Sequence, residues 1–180
     1  MKITDAKRLF KERTEAFFQG YNVIYAQQSR SPKPAVPLVT LAFGNVQRPL
    51  APIDVSDETG ELVGFYLSRV SVVIDLFTNG RPVTHDGSVI AYENTAMEEM
   101  LSFADYLNAP RTVDWCHRND ISILIDRDPQ DLTGIVNDNF FEYRARLEIT
   151  LSYTQDTLST IGTGDIGYFS QAEVEPAEAP

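Results

Sequence analysis

Cysteine is almost missing from this chain: the single Cys116 in 180 residues excludes an intramolecular disulfide and any multi-cysteine metal cluster. Long hydrophobic runs are also missing. No stretch approaches the roughly 18–20 apolar residues that a membrane helix needs, so a membrane-spanning helix is excluded. Positive charge is scarce, with 15 Lys and Arg against 26 Asp and Glu and a formal net charge of −11. That balance opposes the phosphate neutralisation that drives nucleic-acid affinity and disfavours DNA or RNA binding. The first residues, Met1 to Arg8, carry charge where a signal peptide places its apolar core, which argues for synthesis in a cytoplasm without export.

What is present suits one core, since domains commonly run to about 100–200 residues. The residues divide into a domain over 1–155 and an acidic tail over 156–180, which holds five acidic groups and no Lys or Arg. With few residues to pack, that tail is expected to be disordered in isolation, or ordered by a neighbour through Ile161, Ile166, Tyr168 and Phe169.

Apolar residues at helical spacing (Ala6, Leu9, Phe10, Ala16, Phe17) predict a helix over about 4–19, capped by Thr4 and stopped by Gly20. A strand follows at 21–26, then a stiff proline-containing loop over 31–37. A second strand is expected over Leu38–Phe43, closed by Gly44-Asn45, with an exposed loop from Gln47 to Gly60. From Leu62 to Phe77 the chain reads as a long strand with Gly64 and Ser68 as bend candidates, ended by Asn79-Gly80. Arg81 to Gly87 reads as a polar connection. Ala96, Met97, Met100, Leu101, Ala104 and Leu107 mark a second helix within 91–108, which Pro110 stops. Ile121–Ile125 reads as a short strand broken at Asp128-Pro129.

The strongest signal lies at Phe141–Tyr153, where every odd position is apolar and every even one polar. Such alternation predicts a half-buried antiparallel strand far longer than the usual 5–6 residues. The fold class is therefore α+β: a mostly antiparallel sheet with two long strands and two helices on one face. Long strands in so small a chain project beyond the core, and exposed strand edges invite partners.

Candidate chemistry is thin. Asp114-Trp115-Cys116-His117-Arg118-Asn119-Asp120 offers thiol, imidazole and carboxylate, but adjacent Cys and His lack zinc-ligand spacing, and a loop with Trp115 over the core edge accounts for them. Asp126, Asp128 and Asp131 resemble the start of a calcium loop, yet lack its turn glycine and closing Glu. His85 beside Asp86 reads as exposed. Gly162 to Gly167 lacks the lysine and strand-to-helix context of a phosphate cradle. No catalytic residue, cofactor or metal is expected. Glu142, Arg144, Arg146 and Glu148 form a charged row on the longest strand, either a solvated face or a subunit interface whose charges fix register.

The order of these features resembles the neck or tail terminator proteins of long-tailed bacteriophages. The resemblance rests on the N-terminal helix, on Pro34-Ala35-Val36-Pro37-Leu38-Val39-Thr40 leading to a strand, on the long Tyr66–Phe77 strand and on the helix ending Ala104-Asp105-Tyr106-Leu107. It rests most on Asp131-Leu132-Thr133 followed by Asn139-Phe140-Phe141-Glu142-Tyr143-Arg144-Ala145-Arg146-Leu147-Glu148-Ile149-Thr150. It implies a non-enzymatic virion component of the neck. Such a protein forms a ring, expected to be a hexamer, on the last ring of the tail tube, ends tube polymerisation and joins the tail to the head connector. The implied partners are further copies of itself, the tail tube protein, the head-tail connector and, in a contractile tail, the sheath protein. DNA would pass through the lumen without specific binding, and six copies at −11 each carry −66, a charge that repels phosphate. The alternative reading is an α+β small-ligand or peptide-binding module that uses an open sheet edge.

Overall fold

A computed structural model describes residues 1–26, 35–56, 62–136 and 140–156. The tail from 157 onward, the glycines at 162–167 and most of the proline loop lie outside these residues. Helix α1 (Ile3–Phe17) buries Ala6, Phe10 and Thr14. Lys2, not Thr4, precedes its first turn, and no side chain caps it. Gly20 follows at φ +83, the left-handed conformation that glycine adopts without steric cost.

β1 (Asn22–Tyr25) runs parallel to β2 (Leu38–Gln47), and β2 runs antiparallel to β4 (Leu62–Thr78). The main path is β1-β2-β4-β9-β7, with β9 at Phe140–Asp156 and β7 at Ile121–Asp131. Short β3 (Ile53–Ser56) adds to β4, and β8 (Gly134–Val136) adds to β9. The two long strands have 17 residues each and pair without a register shift from Phe65↔Asp156 to Thr78↔Tyr143. At about 3.3 Å per residue each spans roughly 55 Å. Gly64 and Ser68 interrupt neither β4 nor its pairing: Gly64 pairs with Asp54 of β3 and Ser68 with Tyr153 of β9.

Alternation decides the faces. Val70, Val72, Ile74 and Leu76 of β4 sit beside Leu151, Ile149, Leu147 and Ala145 of β9, all buried. Val39, Leu41 and Phe43 extend this apolar layer on β2, and Ile121 extends it on β7. Helix α2 (Ala96–Asn108) covers it with Met100, Phe103, Ala104 and Leu107. The core is the layer between this sheet face and the helices, the arrangement expected of an α+β fold.

Several expectations need correction. Pro110 does not merely stop α2: it opens a third helix, α3 (Pro110–Arg118), as its first residue, where a missing N–H costs nothing. The Asp114–Asp120 cluster is thus largely helix, and Trp115 does pack against the core from it. The polar connection after Asn79-Gly80 is a hairpin, β5 (Arg81–His85) and β6 (Ser88–Glu93). Its turn is Asp86-Gly87, with φ +50 and +78, the dipeptide suited to a tight hairpin. Gly44-Asn45 does not close β2 but lies within its register irregularity between Phe43 and Val46. The loop expected over 47–60 contains β3. Pro129 does not break β7; it sits within the register shift between Arg127 and Gln130 on an edge strand, a position that tolerates a residue without an N–H.

Arg13 ties the helices together. Its guanidinium lies over the rings of Tyr106 and Trp115, 4.6 and 5.2 Å from their centres, and donates to Thr112 Oγ1 at 2.6 Å. Phe103 packs against both Phe17 and Phe18, with ring centres at 5.2 and 4.9 Å.

Candidate functional site

The sheet face turned away from the helices carries the even residues of β9. Arg146 lies directly across from Asp75 on β4 and holds its carboxylate with two hydrogen bonds, Nε to Oδ1 at 2.8 Å and Nη2 to Oδ2 at 3.1 Å. Arg144 donates to Oδ2 at 3.0 Å and lies over the Phe77 ring, 5.0 Å from its centre. The Asp75 side chain is only 11% exposed. Burial pushes its carboxyl pKa up, but the hydrogen bonds and charges of Arg146 and Arg144 outweigh this and hold it below the usual value. Glu148 meets Arg127 of β7 at 3.2 Å.

Three members of the charged row expected at an interface, Arg144, Arg146 and Glu148, are thus engaged within the subunit. Glu142 lies on the same strand, outward of Arg144. The sequence reading missed Asp75. Its signal was a lone acid in the apolar run Val72-Val73-Ile74-Asp75-Leu76-Phe77, on the side opposite the core.

The other candidates resolve individually. Cys116, His117 and Asp120 do come to one cleft, of about 320 Å³, with Leu67, Val113 and Tyr153 also on its wall. Burial raises the Cys116 thiol pKa, against only a lowering influence from Arg13, and so opposes the reactive thiolate. Asp126 accepts a hydrogen bond from Thr150 Oγ1 at 3.0 Å, and Asp131 accepts one from the Thr133 N–H at 2.9 Å. Two of the three acids of the calcium-like stretch therefore serve local structure, and no group of three His, Cys, Asp or Glu among the described residues is placed to hold a metal ion. His85 is exposed beside Asp86.

A cleft of about 650 Å³ lies between the end of α1, the start of α2 and the root of the hairpin. Glu99 accepts hydrogen bonds there from the Tyr21 hydroxyl at 2.7 Å and from Thr95 Oγ1 at 2.6 Å. Burial, then the Glu99 contact, pushes the Tyr21 pKa up to about 12, so the phenol stays a neutral donor. This is a hydrogen-bonded joint between the α1–β1 connection and the start of α2.

Exposed apolar side chains lie elsewhere. Val83, Val89, Ile90 and Tyr92 stand on the hairpin, Leu124 on β7, and Val46, Leu50 and Ile53 around the β2–β3 connection. Exposed apolar residues on the hairpin and at the edges of the sheet suit contacts with other chains. The chain matches the phage neck terminator protein family over residues 7–175 and belongs to it. It is a structural protein of the phage neck, and its place is the tail and neck region of the virion. No curated protein sequence matches it significantly. No helix among the described residues is long and apolar enough to cross a membrane.

Proposed function

We propose that this chain forms a closed ring of six copies on the end of the tail tube, stops tube polymerisation there and presents the opposite side of the ring to the head-tail connector. The observation that carries this reading is the rigid β4–β9 ladder, paired over its whole length from Phe65 to Thr78 and flanked by exposed apolar elements. A ring closes when unlike patches of identical subunits meet under a fixed rotation, and a stiff sheet holds such patches in fixed relation. Membership in the neck terminator family supports the same assignment.

The row Glu142, Arg144, Arg146 and Glu148 is proposed to lie at a subunit contact. With Asp75 and Arg127 the row holds three acids against three arginines, so what it would present to a neighbour is alternating charge that fixes register. Six copies would line the lumen with negative charge and let DNA pass without adhering. Residues 1–155 are proposed to form the ring body and 156–180 a separate acidic tail. Purified protein incubated with tail tubes tests the reading. Tubes capped by rings and arrested in length support it, and tubes that elongate unchanged contradict it.

A further inference from the structure

Every strand residue of the β5–β6 hairpin is exposed, although a two-stranded ribbon by itself is marginally stable in water. Its root is nevertheless firm. Gly80, at φ +76, fits against the Glu93 carbonyl and the Tyr143 ring, where a larger residue would collide. The Tyr143 hydroxyl donates to the Tyr92 carbonyl at 2.9 Å, and Arg81 reaches Glu98 of α2 at 3.5 Å. Beyond this root the ribbon holds Val83, Val89, Ile90 and Tyr92 into solvent, Ile90 at 65% exposure where the register with β5 slips.

A second feature is complementary to it. Most sheet edges among the described residues carry the devices that prevent unwanted pairing. β1 and β3 have four residues each, outer β2 has its register irregularity, β5 has Pro82, and the second half of β7 has Asp126, Arg127, Asp128, Pro129 and two register shifts. The first half of β7, Ile121-Ser122-Ile123-Leu124-Ile125, has none of these, and Leu124 is 64% exposed.

The ribbon does not reach this edge on its own molecule. It is rooted at Tyr143, whereas Ile123 pairs with Leu151, about 25 Å further along β9, and five residues of ribbon extend only about 17 Å. Nor does β7 suit a second β7: antiparallel self-pairing centred on Ile123 brings Asp126 of each copy near Asp120, at the turn before the strand of the other, and like charges brought together oppose the pairing. The edge therefore calls for a dissimilar partner. The ribbon is nearly neutral, with Arg81 set against Asp86 and Glu93.

Area points to a second copy of this chain. At the usual 20–30 residues for about 800 Å² per partner, the 13 residues 81–93 supply roughly half of a stable interface. In a closed ring each copy makes the contact twice, once giving a ribbon and once receiving one, so each interface keeps this half-size area while every copy is held from both sides at once.

We propose that the β5–β6 ribbon of one copy packs over the Ile121–Ile125 edge of β7 in the next copy, with Ile90 against Leu124. This rests on the ring reading above. The test uses full-length chains in a Cys116→Ala background, bearing Ile90→Cys, Leu124→Cys or both, assembled into necks and oxidised. A mixture of the two single variants is expected to give cross-linked dimers, the double variant a ladder of multimers, and neither single variant alone a cross-link. Imaged rings whose mixture gives no cross-link overturn this contact and leave the ring reading standing. Cross-linking by Leu124→Cys alone, or of Ile90→Cys to another neck protein, also overturns it. Absence of rings from necks that contain the unmodified chain overturns both.

Discussion

Asp75 on β4 and Arg146 on β9 face each other across the long ladder, joined by hydrogen bonds of 2.8 and 3.1 Å, with Arg144 closing on the same carboxylate. The carboxylate is nearly buried while each arginine keeps about 30% of its side chain in solvent. Breaking a fully buried pair costs about 3–5 kcal/mol, and partial solvation here brings the expectation to about 2–4 kcal/mol. Asp75→Ala should lower unfolding stability by that amount, read from urea denaturation at pH 7. A loss below about 0.5 kcal/mol would contradict a structural role for the pair.

The same pair sets an acid limb. The carboxyl pKa of Asp75 is lowered on folding, so its stabilisation is complete above its ordinary value of 3.8 and fades as pH falls through the depressed folded value. The stability difference between the unmodified protein and Asp75→Asn should therefore be full at pH 7 and shrink below about pH 4. Denaturation midpoints measured across pH 2–7 check this.

Glycine substitution should separate the hairpin root from its tip. Gly80→Ala puts a methyl against the Glu93 carbonyl and within 2.8 Å of the Tyr143 ring, at positive φ. Gly87→Ala meets open space and carries only the backbone strain of about 1–2 kcal/mol. Hydrogen exchange over 81–93 should accelerate markedly more for Gly80→Ala than for Gly87→Ala.

Cys116 should react with a thiol reagent only when the protein unfolds, because the side chain is buried and its pKa raised. The rate of modification in native buffer, compared with that in urea, measures this. Cys116→Ala with His117→Ala should leave assembly onto tubes unchanged.

The long strands were legible because strict alternation at Phe141–Tyr153 has one physical reading, a sheet with one face packed. The helices that precede Gly20 and Pro110 were legible as apolar stripes, but α3 was not: Pro110 looked like an end because proline breaks helix interiors and opens first turns equally well. The hairpin stayed hidden because its residues alternate with no core to face: all are exposed, so Asp86-Gly87 was the one local signal. Asp75 stayed hidden because its partners lie 69 and 71 residues away in sequence, and only the register of β4 on β9 brings them together.

The most direct measurement of the central claim is an electron cryo-microscopy reconstruction of the assembled neck at side-chain resolution. The account predicts six copies of this chain closed into one ring between the last tube ring and the connector, with ribbon 81–93 of each over β7 of its neighbour. A neck of normal length and closure in which no such ring contains this chain would contradict it.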